Sequence, residues 1–128
     1  MNNKNLELIY LACPYGSDDP DVILNRVSLV NHVAGILMGE YYVFSPVSHL
    51  HPITISANLP TTWEYWNGYC KVMLKMCDKL FVLMLDGWNK SVGVKGEIDA
   101  AKELGIPIVY IKYDENKLPK IQYFAYGT

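Results

Sequence analysis

Six consecutive apolar residues at positions 80–85 (LFVLML) constrain most strongly what this chain can fold into. A strand with one face in water alternates apolar and polar side chains, whereas an unbroken apolar run is typical of a strand buried on both faces. Such strands occur in parallel sheets, because helices then cover both sides of the sheet. We therefore expect an α/β domain built around this strand.

Strand and helix patterns alternate along the rest of the chain. Short β-rich segments lie close to Pro or Gly, and between them apolar residues recur every three or four positions, which is helical spacing. This alternation predicts a Rossmann-like parallel sheet of four or five strands in flavodoxin-type order, with helices on both faces. The further strand segments are residues 6–12, 41–44 and 106–111, and the helical segments are residues 20–38, 61–77 and 91–104.

Two segments fit neither pattern. Residues 45–60 (SPVSHLHPITISANLP) show no periodicity and are long for a connection in a compact domain, so we expect a functional loop. Residues 112–128 are too short for another strand–helix–strand unit, and they form either an edge segment or an arm that reaches a neighbouring subunit. We expect residues 1–128 to form one domain with its core at about residues 6–111.

Composition and charge exclude several classes of function. The formal charge of −2 and the isoelectric point near 5.8 offer no basic surface for a nucleic acid polymer. The sequence has no signal-peptide pattern and no apolar run long enough to cross a bilayer, so we expect no membrane partner. The three cysteines are odd in number and lack metal-ligand spacing, which indicates a reduced, cytoplasmic protein without a metal or other cofactor. His49 and His51 have no third ligand nearby.

The segment after the buried strand is suited to an anionic ligand. A turn at Asp86 is followed by Ser91, Gly93 and Gly96, which leave backbone amide groups accessible where a helix begins. Ligands of open parallel sheets bind outside the carboxyl ends of the strands, and this loop leaves such an end. The sequence therefore favours a phosphate at this place.

Glu97 lies in the helix that follows, off the predicted apolar stripe of Val94, Ile98, Ala101 and Leu104. Two interpretations remain open. The carboxylate either compensates the helix dipole on a solvated face, or it faces a ligand at the end of the sheet.

Four segments together resemble the nucleoside 2-deoxyribosyltransferase superfamily. They are LIYLACPYG, FSPVSHLHP, CDKLFVLMLDGW and SVGVKGEIDAAKELGIP, within about residues 8–111. Within this superfamily, the chain more closely resembles a small branch, often of phage or bacterial proteins, that is related to nucleoside 5'-monophosphate N-glycosidases. The most specific part is the series D-G-W, S-x-G-x-x-x-E and L-G-x-P.

The resemblance implies roles for matching residues. Glu97 matches the glutamate that attacks the anomeric carbon or stabilises the cation that forms there. Tyr10 matches the tyrosine that orients this glutamate; alternatively, Tyr10 is a half-buried strand aromatic. Ser91 matches the serine that helps to hold the phosphate in 5'-monophosphate hydrolases, although it can also serve as a helix N-cap. Gly93 belongs to the same phosphate loop, and Asp86 is a further candidate contact.

The base-side wall is expected between the segment 45–52, with Ser45 and His49, and the helix that carries Trp63 and Trp66. Aromatic side chains there can stack on a base.

Cys70 departs from the superfamily pattern, because related enzymes place at this position an aspartate that contacts the sugar or assists the leaving base. Its spacing also fits a core thiol on the apolar stripe of its helix. Either Glu64 or Asp86 supplies the acid, or activity is reduced, or the protein binds a nucleotide without cleaving it.

The resemblance thus implies a nucleoside 5'-monophosphate N-glycosidase that acts on a small-molecule nucleotide or nucleoside. Base exchange, as in the deoxyribosyltransferases, and nucleotide binding without turnover are the alternatives. Members of the superfamily form dimers or larger assemblies, so the resemblance also implies a homodimer or higher homo-oligomer.

Overall fold

The structure, a computed structural model, describes residues 5–124 and shows an α/β architecture with a five-stranded sheet. The strand order is β2-β1-β3-β4-β5, in which the first four strands are parallel and β5 is antiparallel to β4. The predicted parallel sheet between helices is thereby confirmed in its main part. The strands are β1 (Leu8–Ala12), β2 (Tyr42–Phe44), β3 (Lys79–Leu83), β4 (Ile108–Tyr113) and β5 (Ile121–Phe124).

Three of the helices begin and end within two residues of the predicted positions. The Asp19 side chain accepts a hydrogen bond from the Asp21 amide at the start of α1, with Pro20 in the first turn. Gly105, with φ of 71°, ends α4 in the left-handed conformation that favours glycine. The helices are α1 (Pro20–Leu37), α2 (Pro46–Ala57), α3 (Trp63–Lys75) and α4 (Val92–Leu104), and a 3₁₀ turn spans Trp88–Lys90.

The helix α2 contradicts the prediction of a loop at residues 45–60. Its start is capped by Ser45, whose Oγ accepts from the Ser48 amide at 3.4 Å, and Asn58 ends it with φ of 53°. The sequence pattern does not predict this helix, because a proline such as Pro52 is disfavoured inside a helix, and because only a narrow stripe at every fourth position is buried. That stripe consists of Pro46, Leu50 and Thr54.

Helices cover both faces of the sheet, as the apolar run at residues 80–85 predicts. Residues 80–83 are at most 2% exposed, and they alternate between the two faces. Phe81 and Leu83 pack with side chains of α1, whereas Leu80 and Val82 pack with side chains of α3 and α4. Residues 80–83 of this strand are all apolar because neither face of the sheet meets water there.

The tail forms an edge of the sheet, which confirms one of the two alternatives. Strand β5 pairs with β4 from Tyr110↔Phe124 to Tyr113↔Ile121. The predicted tail also included residues 125–128, which lie outside the described part of the chain. Within residues 5–124, every helix falls short of the length and apolar character that crossing a bilayer requires.

Shortening Leu80 should destabilise the fold more than shortening an exposed leucine. Leu80 is fully buried, whereas Leu24 is 58% exposed. We expect Leu80→Ala to lower the free energy of unfolding by about 2–5 kcal/mol, and Leu24→Ala by less than about 1 kcal/mol. Urea denaturation of both variants measures this difference. Equal losses would contradict the central position of β3.

Candidate active site

A cavity of about 740 Å³ opens at the carboxyl ends of β1, β2 and β3. Its walls come from residues 13–16 after β1, the starts of α2 and α3, and the turn that leads into α4. This volume is in the range of small-molecule sites, about 300–1,000 Å³. The cavity therefore lies where ligands of parallel sheets bind.

Glu97 lies in the wall of this cavity and is only 6% exposed. The prediction that it lies off the buried stripe of α4 is wrong, because the buried face consists of Val94, Glu97, Ala100 and Ala101, while Leu104 is exposed. Burial raises the pKa of Glu97 to about 8, although the nearby Tyr10 hydroxyl lowers it somewhat. This burial excludes the interpretation that Glu97 lies on a solvated face and compensates the helix dipole.

Tyr10 is fully buried on β1, behind the cavity wall. Burial is the main reason that its pKa lies well above the ordinary value, and the neighbouring Glu97 and Cys70 raise it further. Among the described residues, no group meets its hydroxyl in regular hydrogen-bond geometry. Tyr10 and Glu97 therefore lie close enough to influence each other's pKa without a regular hydrogen bond between them. A phenol hydroxyl so placed can donate a hydrogen bond to the carboxylate when Glu97 is charged.

Two thiols complete the surroundings of the carboxylate. Cys13 and Cys70 line the cavity, and burial raises the pKa of both, that of Cys70 to about 11. Both thiols are therefore neutral at pH 7, which makes them poor nucleophiles and poor proton donors. Across residues 5–124, His, Cys, Asp and Glu side chains form no group of three placed to hold a metal ion.

Ser91 caps α4, because its Oγ accepts a hydrogen bond from the Val94 amide at 3.2 Å. The N-cap interpretation is thus confirmed. Ser91, Val92 and Gly93 line the cavity, and amide groups of a first helical turn have no acceptor within their own helix. This end of the cavity can donate hydrogen bonds to an anion.

Arg26 is a cavity residue that the sequence analysis missed. From α1, its Nη1 donates to the Gly16 carbonyl at 2.8 Å, and its Nη2 donates to the Asp86 carbonyl at 2.9 Å. It thereby joins the loops after β1 and β3. One signal was available, because Arg26 is the only arginine in the sequence.

Trp63 and Trp66 both line the cavity, and their role as the wall beside a base stays a prediction. Trp66 Nε1 donates to the Pro60 carbonyl at 2.7 Å, which fixes its indole. Trp63 lies against α4, where a Cβ added to Gly96 would come within 2.5 Å of its Cζ2 and Nε1 atoms. Position 96 is therefore glycine because a larger residue would overlap the Trp63 indole. The sequence had suggested instead that this glycine leaves backbone amides open to an anion.

The structure places three predicted site residues away from this cavity. The Asp86 carboxylate is not among its lining groups in residues 5–124, and Asp86 contributes its carbonyl to Arg26 instead. Ser45 and His49 border a second cavity, of about 580 Å³, beside α1 and β2. His49 Nε2 lies 3.1 Å from the Tyr69 hydroxyl. Of the two acids considered as substitutes at position 70, Glu64 lines the main cavity.

Adding a methyl group at Gly96 should destabilise the protein, because it displaces the Trp63 indole. Both Gly93 and Gly96 lie in α4, where alanine favours the helix by up to about 1 kcal/mol. A Cβ at Gly93 meets Trp63 only at 3.8 Å, an ordinary contact. We expect Gly96→Ala to lower the free energy of unfolding by about 1–3 kcal/mol and Gly93→Ala not to lower it. Similar denaturation midpoints for the two variants would rule out this packing.

Replacing Glu97 by glutamine should remove a pH dependence of stability. Because the pKa is about 8 when folded and 4.5 ordinarily, the folded protein retains a proton that the unfolded chain loses. Wild-type stability should therefore fall as pH rises from about 4.5 to 8, with a slope of up to about 1.4 kcal/mol per pH unit.

In thermal melts over this pH range, the Tm of Glu97→Gln should increase relative to the wild-type Tm as the pH rises. The exposed Glu103 of the same helix supplies the control, and Glu103→Gln should keep the wild-type slope. Parallel slopes for wild type and Glu97→Gln would contradict the buried, protonated carboxyl.

Comparison with known proteins shows one family. A family model described as "Domain of unknown function (DUF1937)" matches residues 7–113. No curated protein matches the sequence. The matched region runs from β1 to β4 and contains all the lining residues named above. The chain therefore belongs to the DUF1937 family.

Proposed function

We propose that the protein is a nucleoside 5'-monophosphate N-glycosidase, in which Glu97 is the nucleophile. The observation that carries this proposal is a single buried carboxylate in the wall of a cavity that also contains hydrogen-bond donors for an anion and two indoles. The three groups suit the sugar, the phosphate and the base of one nucleotide. The resemblance to the nucleoside 2-deoxyribosyltransferase superfamily agrees with this assignment.

The proposed reaction has two steps. A Glu97 carboxylate oxygen forms a bond to C1' of the sugar, while the C1'–N bond breaks and its electron pair leaves with the base. Water then attacks C1', the glycosyl–carboxylate bond breaks, and the proton that water loses passes to Glu64, which gave its own proton to the base in the first step. The products are the free base and the sugar 5-phosphate. Tyr10 positions the carboxylate and touches no substrate atom, since it is fully buried.

Glu64 is the group that we assign to protonation of the leaving base. The neutral Cys70 thiol, with its pKa raised to about 11 by burial, is a poor donor. Glu64 lies on the first turn of α3 and lines the same cavity. In this assignment the two carboxyl groups have separate roles, as in glycosidases that form a covalent intermediate.

The surroundings of the site support the rest of the proposal. The strand order β2-β1-β3-β4-β5 supports a Rossmann-like domain of flavodoxin type, from which the antiparallel β5 departs, with the cavity at the switch point between β1 and β3. We further propose that the protein is cytoplasmic, since Cys13, Cys70 and Cys77 are all free thiols. We also propose a homodimer or higher homo-oligomer, because α3 and its C-cap residue expose an apolar stripe that favours association. The stripe consists of Tyr65, Tyr69, Val72 and Met76.

Two alternatives use the same cavity. In base exchange, a second base instead of water attacks the glycosyl intermediate, and adding a free base would then yield a new nucleotide. In binding without turnover, calorimetry would show a complex from which the nucleotide is recovered intact. The thiol of Cys70, at a position where an acid was expected, favours the second alternative over the first.

Incubation with a panel of ribo- and deoxyribonucleoside 5'-monophosphates tests the proposal, with chromatography to detect free base. We expect base release from at least one monophosphate, and a loss of at least about 1,000-fold in Glu97→Gln. The wild-type rate should rise with pH up to about 8, because only the charged carboxylate attacks.

Glu103→Gln provides the control, since this exposed residue lies on the same helix outside the cavity lining. Its rate should equal that of the wild type. No free base from any monophosphate, or full activity in Glu97→Gln, would refute the proposed reaction.

A further inference from the structure

Arg26 is a cation that the fold holds at the wall of the cavity. Its guanidinium donates to the carbonyls of Gly16 at 2.8 Å, Tyr15 at 3.4 Å and Asp86 at 2.9 Å. These carbonyls belong to the loop after β1 and the loop after β3. The side chain is therefore fixed by main-chain atoms on both sides and cannot swing freely as an exposed lysine can.

In the described part of the chain, no acidic side chain forms an ion pair with Arg26. The three ion pairs among residues 5–124 all involve lysines, and Arg26 takes part in none of them. A guanidinium has five N–H groups, so the three carbonyl contacts leave at least two for a ligand. Because Arg26 is partly buried, a bound anion would offset the cost of removing its charge from water.

The turn after β3 is shaped around the guanidinium. Gly87 has φ of 87°, which favours glycine, and a Cβ there would lie 2.8 Å from Nη2 of Arg26. Gly87, Arg26 and the capped start of α4 at Ser91 all line the same cavity. The chain thus surrounds one space with a fixed cation and with the amide groups of a helix N-terminus.

We infer that Arg26 binds the 5'-phosphate of the substrate, together with the first turn of α4, and thereby selects nucleoside monophosphates over nucleosides. This inference rests on the proposed function, because it assigns the phosphate end of the same cavity. A planar guanidinium can form two parallel hydrogen bonds to phosphate oxygens. Its positive charge also offsets part of the negative charge of the phosphate dianion. A nucleoside offers only a neutral 5'-hydroxyl at this place, which accepts a weaker hydrogen bond than a charged phosphate oxygen.

A purely structural role is the competing explanation. Arg26 would then only fasten the two loops, and its loss would weaken the binding of monophosphates and nucleosides alike. The experiment must therefore compare ligands that differ only in the phosphate. Ribose 5-phosphate and ribose form such a pair, and neither requires knowledge of the base.

Chemical labelling of the wild-type protein provides the test, because Arg26 is the only arginine in the chain. Phenylglyoxal modifies arginine, and peptide mass spectrometry gives the rate of labelling at Arg26. Ribose 5-phosphate at about ten times its Kd should slow this rate about tenfold. Ribose should leave it within about twofold, and free N-acetylarginine should react equally fast with or without ribose 5-phosphate. Equal labelling rates with ribose 5-phosphate and ribose would overturn the inference.

Calorimetry on two variants gives an independent measurement. Arg26→Gln should bind ribose 5-phosphate about 10- to 100-fold more weakly than the wild type. The control Lys102→Gln, in the last turn of α4 and outside the cavity lining, should bind it as the wild type does. Unchanged binding in a folded Arg26→Gln would also overturn the inference, and the labelling experiment decides if this variant does not fold.

The outcomes separate this inference from the proposed function. Protection of Arg26 by ribose 5-phosphate without base release from any nucleotide would support the phosphate site and reject the glycosidase. Base release without protection would support the glycosidase and reject the role of Arg26.

Discussion

The burial of one carboxylate at the contact between α4 and the sheet is the constraint on which the rest of the site depends. A helix that packs on a sheet normally turns hydrocarbon towards it, yet α4 places Glu97 between Val94 and Ala101 on its buried face. The cost of a charge without water is reflected in a pKa near 8. The position is tolerated because the residue borders a cavity rather than solid hydrocarbon.

The groups beside Glu97 do not neutralise it. Tyr10, Cys13 and Cys70 are all uncharged at pH 7, because burial raises the pKa of each of them. A charged carboxylate among neutral groups is stabilised most by a positive charge that develops on the substrate during the reaction. In the proposed glycosidase, the cationic sugar that forms as the base leaves provides that charge, so the interaction is strongest in the transition state.

The sequence predicted the parts of the structure that local patterns determine. The apolar run at residues 80–85 identified the central strand, and Ser91 was recognised both as a cap and as a cavity residue. Local patterns did not predict the features that depend on packing between residues far apart in the sequence. Pro52 and a narrow buried stripe concealed α2, and the register of α4 on the sheet, which spacing alone does not define, buries Glu97. The role of Arg26 was missed because its partners are main-chain carbonyls, one of them 60 residues away. Every residue has such a carbonyl, so no residue type in the sequence identifies these partners.

Direct titration of the Glu97 side chain tests the central claim most closely. Carbon-13 NMR of protein labelled at the glutamate carboxyl carbons can follow this resonance, which comparison with Glu97→Gln assigns. The account predicts a midpoint near pH 8 for Glu97. A midpoint near the ordinary value of 4.5 would contradict it, because the carboxylate would then be solvated or paired instead of buried in the cavity wall.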